Sequence, residues 1–364
     1  MAYFADRQYF DDPEAIKRGT EFGEGKLILD WYEIETDRVR CTPSDPRRGL
    51  TYEDCSKGAY SWDLLPEFVR HNYSMAARGS VLVPGLPDMG YTENRKSDIW
   101  ADNIGELYEE SKSRRWAPAV DIDWKALAAT DFDPAVTASM CQLCTTLSEV
   151  SLVVMEFPSR WVYLVNQEFL ELKSLLCAQM MDQARAVEVF RKRALSSGGL
   201  KRASANVQQA LKELLMADNY IEGSIGINLL VGSLLLGVYR VAATASTIDA
   251  HLFRRCEQDA ARLVAYGMGN LAYHLAHREG RQEVLNEYLD SVEHCFAGIA
   301  GATEMLEPLI VIAGGGTEPG QVASGRARVA SIYRVVVDEY LGRLAAAGLE
   351  RRDRSRLPAF FDAA

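Results

Sequence analysis

Apolar residues recur every three or four positions through most of the chain beyond Asp133, which is the spacing of one buried helix face. The pattern predicts a helix over about 134–156 that ends at Pro158, followed by a helix over about 160–194. No alternating apolar and polar pattern appears in the second half of the chain, so no strand is predicted there. The hydrophobic pattern therefore indicates an all-α fold.

Further helices are predicted towards the C-terminus. They begin at about 203 and then cover about 222–243, 246–277, 281–299 and 322–347. The run Leu306–Ile312 fits either a short helix or a strand. The glycine-rich segment 313–320 is expected to be a loop.

One helical segment occurs twice in the sequence. The string DQARAV begins at Asp182 and the string DAARLV begins at Asp259, 77 residues later. Each copy lies inside a long predicted helix. A helical segment repeated at this distance indicates two helix pairs packed about a pseudo-two-fold axis.

The repeat resembles the Asp-Glu-x-Arg-His motif of the ferritin-like diiron-carboxylate proteins, which include the ribonucleotide reductase small subunit and the bacterial multicomponent monooxygenase hydroxylases. The resemblance covers about 120–300. It implies a ferritin-like helical bundle, here with an irregular N-terminal arm and extra C-terminal helices. The segment Arg115–Trp124 also resembles the tryptophan-containing stretch that precedes the first bundle helix in several diiron oxygenases.

Both copies of the repeat retain the Asp and Arg of the motif. The resemblance implies that Asp182, Arg185, Asp259 and Arg262 match groups that orient the metal ligands in the family. An Asp and an Arg three residues apart can pair along one helix. The copies can also pair across the bundle, Asp182 with Arg262 and Asp259 with Arg185. We expect these ion pairs to fix the register of the helices.

The metal ligands of the motif are not retained. The Glu and His positions contain Gln183 and Ala186 in the first copy, and Ala260 and Leu263 in the second. Iron requires anionic oxygen ligands to offset its charge, and these neutral side chains supply none. No metal is therefore predicted at these four positions.

The family's two other helices each contribute a Glu upstream of the motif, and few candidates exist here. The corresponding windows contain Glu149 and Ser151 before the first copy, and Gly226, with Glu222 slightly early, before the second. Glu149 and Glu222 are expected either to face inward or to cap a helix or face solvent. In one alternative, Glu149, Glu222 and Gln183 together hold a single metal.

The replacements also exchange large side chains for small ones. Ala186, Ala260, Gly226 and Gly267 are expected to line a cavity with room for a small molecule. A ligand or another cofactor in this space is an alternative to an empty interior.

The chain is expected to have three parts. Residues 1–118 form an irregular arm that is rich in turn signals and aromatic residues, 119–300 form the bundle, and 301–364 form a C-terminal loop and helix that pack on it. The aromatic arm is expected to pack on its own bundle or, alternatively, against a partner subunit.

Composition indicates the compartment and the kinds of partner that the protein is expected to have. The net charge of −11 argues against non-specific binding to nucleic acid or to an anionic membrane. The longest apolar run, Ile225–Tyr239, is judged too short to span a bilayer. Seven dispersed cysteines indicate reduced thiols, and the first residues lack the pattern of a signal peptide. A cytoplasmic protein is therefore expected.

These observations predict a metal-free pseudo-enzyme subunit that supports a metal-binding paralogous oxygenase subunit acting on a small organic substrate. The alternatives are an active oxygenase with an altered metal or cofactor site, iron being one option, and a homodimer that binds a small molecule without chemistry. No catalytic residue can be named from the sequence.

Overall fold

The computed structural model describes residues 10–29, 32, 42–56, 65–69, 75 and 86–363. The structure is 72% helical, and the described residues contain no strand, only two isolated bridges. The all-α prediction is confirmed. In chain order the helices are α1 (Pro13–Gly23), α2 (Tyr52–Ser56), α3 (Lys96–Ile99), α4 (Ile104–Ser113), α5 (Pro118–Asp121), α6 (Trp124–Ala128), α7 (Pro134–Val162), α8 (Leu170–Leu195), α9 (Ala205–Leu215), α10 (Tyr220–Ser224), α11 (Gly232–Ala242), α12 (Thr247–His277), α13 (Arg281–Ala300), α14 (Thr303–Gly314), α15 (Pro319–Ala346) and α16 (Leu357–Ala363).

The chain divides into two compact units, Met1–Arg40 and Cys41–Ala364. The described helix of the first unit is α1, whose N-terminus is capped by the Asp12 side chain and which contains Pro13 in its first turn. The second unit contains all the other helices. The three-part division expected from the sequence remains a prediction.

Four long helical segments form the bundle: α7, α8, the continuous segment Tyr220–Ala242 and α12. The thiol of Cys141 near the start of α7 contacts the Ala194 carbonyl near the end of α8, so these two helices are antiparallel. Three buried rings on α8, α11 and α12 meet at the centre, with centroids 5.8–5.9 Å apart: Phe190, Tyr239 and Phe253. Aromatic pairs at this spacing add to the stabilisation from area burial.

The segment Tyr220–Ala242 contains an internal π-helix at Ile225–Val231, between α10 and α11. Every residue of the π-helix is buried. The wider turn of a π-helix rotates the following side chains relative to regular α spacing. This rotation changes which residues face the bundle interior.

Two predicted boundaries of the first helix pair are wrong. Pro158 does not end the first helix but is buried inside α7, which continues to Val162. Proline removes one backbone donor from a helix, and burial of Phe157, Pro158 and Trp161 keeps this last turn packed on the core. The second helix begins at Leu170 rather than at about 160, after a short 3₁₀ turn.

The ambiguous run Leu306–Ile312 is helical and belongs to α14. The predicted loop at 313–320 is shorter than expected, because α14 continues to Gly314 and α15 begins at Pro319. Gly315 ends α14 in the left-handed region, at φ +79°.

Parts of the arm within the second unit pack on the chain's own bundle. The Tyr52 hydroxyl donates to Ser174 Oγ in α8 at 2.6 Å. Along α12, the Tyr266 hydroxyl donates to the Ile99 carbonyl at 2.7 Å and the Asn270 amide donates to the Trp100 carbonyl at 3.1 Å. Four other described aromatic residues of the arm are exposed: Phe10, Phe22, Tyr32 and Phe68. The aromatic residues in 1–9, 57–64 and 70–74, and Trp31, lie outside the described residues.

Two helical segments, Pro134–Val162 and Tyr220–Ala242, are long and apolar enough to cross a membrane, and α13 with α14 makes a third if that bent pair is one span. The expectation that the central apolar run is too short is therefore wrong, since its helix has 23 residues. In the structure 94% of its apolar window is buried, and 61% of the window in Pro134–Val162. Both segments thus use their apolar side chains in the protein core.

A candidate site at the centre of the bundle

A buried four-membered ion network joins α8 to α12. Arg262 Nη2 lies 2.7 Å from Asp182 Oδ2, and Arg185 Nη2 lies 3.2 Å from Asp259 Oδ2. Arg185 also pairs with Asp182, and Arg262 with Asp259, within their own helices. All four side chains are at most 8% exposed. Both expected cross-bundle pairs are therefore present, and each arginine bridges the two aspartates.

Trp116 completes the network from the segment before α5. Its indole Nε1 donates to Asp259 Oδ2 at 2.9 Å, and the Arg185 guanidinium lies 5.8 Å from the centre of its ring. Charge-assisted hydrogen bonds of this kind hold a buried carboxylate in one orientation. The tryptophan that supported the family resemblance thus contacts the motif directly.

Burial and the neighbouring charges together shift the pKa values within the network. Burial and the neighbouring Asp259 carboxylate raise the pKa of Asp182 to about 6, although Arg262 and Arg185 oppose the rise. Burial also disfavours the charge on Arg262, but the two aspartates outweigh it and raise the arginine's pKa. The network contains two carboxylates and two guanidinium groups, so it is neutral when all four are ionised.

A second buried ion pair, which the sequence analysis missed, lies further along the same two helices. Arg193 Nε lies 2.6 Å from Asp249 Oδ1, and Arg193 Nη2 lies 3.2 Å from Asp249 Oδ2. Residue numbers rise along α8 as those of their partners fall along α12, so the two helices are antiparallel. The only sequence signal was the recurrence of opposite charges on two apolar helices.

The four ligand positions of the motif all lie in the protein interior. Gln183, Ala186, Ala260 and Leu263 are between 1% and 4% exposed. No charged group stands at any of these positions. Their neutral side chains therefore replace the anionic and imidazole ligands that the motif would otherwise supply.

The two candidate carboxylates do not join Gln183. The polar groups that act on Glu149 are the Gln208 side chain, the Ser204 backbone and Glu304, and burial raises the pKa of Glu149. These partners belong to α9, the residue before it and α14, none of them to α8. Of the two alternatives for Glu149, these contacts favour a role away from the motif.

Glu222 lies at one end of the bundle. It lines a cavity of about 150 Å³ together with Glu93, Asp98 and His274, and no residue of α8 lines this cavity. The His274 ring donates from Nδ1 to the Ser97 carbonyl at 3.0 Å, while its buried Nε2 has no partner. The partners of Glu149 and the residues that line the cavity beside Glu222 do not include Gln183, so the structure gives no support to the alternative in which these three residues hold one metal.

The two glycines of the expected cavity do not leave open space. A Cβ at Gly226 would lie 2.8 Å from the Tyr288 hydroxyl and 3.2 Å from Leu214 Cδ2, so this residue faces α9 and α13. A Cβ at Gly267 would lie 2.9 Å from Asn228 Cβ. These small residues permit close helix packing rather than a cavity. The expected cavity is therefore not formed at these two glycines, because neighbouring side chains fill the space that a Cβ atom would occupy.

The interior nevertheless contains neutral polar groups. Ser151 Oγ, Gln183 Oε1, Asn228 Oδ1 and both amide atoms of Gln179 are buried without a hydrogen-bond partner. An unpaired buried polar group costs about 1–3 kcal/mol, which an ordered water can recover.

Tyr239 connects this polar set to the ion network. Burial raises its pKa far above the ordinary tyrosine value, and its neighbours include Cys256, Asp259 and Ser151. The phenol is therefore neutral and adds no charge to the interior. The Ser151 hydroxyl thus lies beside the Tyr239 phenol.

A metal centre of the diiron-carboxylate type does not fit these residues. Iron is bound there by several carboxylates and by histidine, and the interior presents amides, hydroxyls and apolar groups instead. In the part of the chain that the structure describes, one group of three His, Cys, Asp or Glu side chains has its ligand atoms close together, and it lies outside the bundle interior, at Glu213, His294 and Cys295. The residues of the interior therefore do not provide the donor set of an iron centre.

The fold matches that of solved metalloproteins. One variant of R2-like ligand-binding oxidase, with an aerobically reconstituted Mn/Fe cofactor, is 17% identical with a TM-score of 0.51 and covers 67% of this chain and 93% of that chain. A second variant, with an Fe/Fe cofactor, is 18% identical with a TM-score of 0.51 and covers 67% of this chain and 95% of that chain. No family model and no curated protein match the sequence. At this identity the likeness establishes the ferritin-like fold, as the repeat predicted.

The raised pKa of Asp182 predicts a specific pH dependence of stability. The folded chain binds the Asp182 proton more tightly than the unfolded chain, so the free energy of unfolding falls as pH rises from about 4 to about 6. Asp182→Asn should flatten this part of the pH profile, because the carboxyl group that takes up the proton is then absent. Chemical unfolding monitored by circular dichroism at several pH values measures it.

Asp338→Asn is the matched control, since Asp338 forms an exposed ion pair with Arg352. We expect its pH profile to run parallel to that of the wild type. A profile for Asp182→Asn that also stays parallel to the wild type would contradict the assignment of the slope to Asp182.

Proposed function

We propose that this chain, which has the ferritin-like fold of the R2-like ligand-binding oxidases, is a metal-free bundle that serves as a structural subunit beside a metal-binding paralogue. One observation carries the proposal: the four positions where the motif would place metal ligands are buried and occupied by Gln183, Ala186, Ala260 and Leu263. A buried position excludes solvent but offers no negative charge to an ion. The chain has therefore kept the bundle without the ligands of the metal.

The ion network explains how the fold can persist without a metal. A di-iron centre in this fold joins helices by bridging ligands from each. Here Arg185 and Arg262 bridge Asp182 and Asp259 across α8 and α12. Removing one partner of such a buried network costs about 3–5 kcal/mol, so the network is under strong structural constraint.

The alternatives have less support. An altered metal site requires anionic ligands around Gln183, and the nearest sequence candidates, Glu149 and Glu222, contact other parts of the fold. A ligand in the interior requires open space, and Gly226 and Gly267 are in close contact with neighbouring helices. The available donor groups therefore argue against oxygen activation at this centre.

The exposed face of α8 is the surface that we assign to the partner bundle. Six exposed residues on α8 recur at three- and four-residue spacing and so share one face: Cys177, Met181, Ala184, Glu188, Arg191 and Leu195. Met181 is 61% exposed and Leu195 is 64% exposed. Exposed apolar side chains on one helix face are typical of helix-to-helix interfaces. A second copy of this chain is the alternative occupant.

The charge of the chain and the burial of its apolar helices support a protein of the cytoplasm that binds neither nucleic acid nor membrane. The net charge is −11, and the apolar window of Tyr220–Ala242 is 94% buried inside the protein. The buried thiols of Cys141, Cys144 and Cys256 are free, as in a reducing compartment.

Metal loading tests the metal-free interior. Chelator-treated protein is exposed aerobically to Fe²⁺, and in a second sample to Mn²⁺ with Fe²⁺, then desalted and measured by elemental mass spectrometry. We expect no diiron or Mn/Fe centre, because the interior lacks anionic ligands. An R2-like ligand-binding oxidase loaded in parallel is the positive control, and about two metal ions per chain in the test protein would sink the proposal.

Co-purification tests the structural role. The full chain, tagged and expressed in its native cells, should copurify with a ferritin-like bundle that has intact Glu-x-x-His motifs. Met181→Asp should weaken that complex by placing a charge on the α8 face, whereas Val335→Asp, at a 49% exposed position on α15, should not. Recovery of a lone monomer by light scattering, with no bundle partner in mass spectrometry, would refute it.

A further inference from the structure

Three potential metal ligands meet on the outer side of the bundle, between α9 and α13. They are the carboxylate of Glu213, the imidazole of His294 and the thiol of Cys295, and their ligand atoms all lie within 4.8 Å of one another. His294 Nε2 lies 3.2 Å from Glu213 Oε1 and 3.7 Å from Cys295 Sγ. Neither the central ion network nor the interior polar set includes any of these residues.

The spacing matches that of ligands around one tetrahedral zinc ion. With Zn–N and Zn–O bonds of about 2.0–2.1 Å and a Zn–S bond of about 2.3 Å, tetrahedral angles place N and O about 3.4 Å apart and N and S about 3.6 Å apart. The observed His294–Glu213 and His294–Cys295 distances are 3.2 and 3.7 Å. The ligands thus need only small shifts to bind one ion.

The types of ligand favour zinc among the common divalent metals. A thiolate and an imidazole select zinc or another borderline ion over Mg²⁺ or Ca²⁺, which prefer oxygen ligands. An ion can reach the site from solvent, because the His294 side chain is 63% exposed and that of Glu213 is 39% exposed. Cys295 itself is buried and supplies the inner ligand.

We propose that Glu213, His294 and Cys295 bind one Zn²⁺ ion that ties α9 to α13. Three protein ligands leave the fourth tetrahedral position to a water molecule. The ion would anchor the crossover helix α9, which connects the two helix pairs, to a helix outside them. The site is separate from the proposed metal-free interior and does not depend on it.

Zinc binding at this site should depend on pH. The Zn–S bond forms as the S–H bond breaks, and the proton is released to solvent. His294 must also be neutral to bind the ion. Affinity for zinc should therefore rise as pH increases from 6 towards 8.

The test uses the full-length chain after treatment with a chelator. Zn²⁺ is added in competition with a chromophoric chelator, and Co²⁺ is used as a spectroscopic substitute for zinc. We expect about one tight Zn²⁺ site per chain. We also expect a near-ultraviolet band of cobalt-bound thiolate. Cys295→Ser should abolish the cobalt–thiolate band, and His294→Ala and Glu213→Gln should weaken zinc binding at least about tenfold.

Two matched controls keep these results specific. Cys177→Ser removes an exposed thiol, and His277→Ala removes a histidine that stacks on Tyr273 away from the site. Neither should change zinc affinity. If Cys295→Ser misfolds by circular dichroism, the exposed His294→Ala decides the outcome instead.

Absence of tight zinc binding by the wild-type protein would overturn the proposal. So would unchanged zinc affinity in His294→Ala and Glu213→Gln, since that result would place the ion elsewhere. Loss of zinc binding in these variants would not bear on the proposal that the interior is metal-free. Iron loaded in the interior would contradict the proposed function and leave the zinc site untouched.

Discussion

The arrangement of the bundle depends on a neutral set of four buried charges. Asp182 and Arg185 on α8 meet Asp259 and Arg262 on α12, and every member of the set contacts the partner helix. The charges are costly to bury, so the helices must lie in the one register that pairs all of them. Trp116 adds a hydrogen bond from the preceding segment and couples the arm to the same register.

This network accounts for why half of the motif survives and half does not. In a diiron protein the Asp and Arg support the ligands, and the ligands hold the metal. Here the supporting groups satisfy one another, so they retain a role after the ligands are replaced. The interior that remains is neutral, with amides and hydroxyls at Gln179, Gln183, Ser151 and Asn228. It suits ordered water better than an ion.

The sequence predicted the features that follow from helical spacing. The repeat located both motif copies and the cross-bundle ion pairs, because regular α-helices preserve the spacing of a face. It failed where the helix is irregular. Within the π-helix at Ile225–Val231, Gly226 faces Tyr288 and Asn228 packs against Gly267. No sequence pattern indicates the wider turn of a π-helix.

Other features require the tertiary structure. Glu149 lies on α7, and its partners on and before α9 become known only when α9 is placed against α7. Likewise, Glu213 and His294 are distant in sequence and meet because α9 packs on α13. Pro158 ends no helix, since burial of its neighbours outweighs the lost hydrogen bond.

The central claim is that buried paired charges tie α8 to α12. A double-mutant cycle with Asp182→Asn and Arg262→Met tests it most directly, by chemical unfolding at pH 7.5 in the presence of a chelator. The account predicts a coupling free energy of about 2 kcal/mol or more between the two residues, because the cross-helix pair is buried. A coupling below about 0.5 kcal/mol, the range of additive and independent sites, would contradict it.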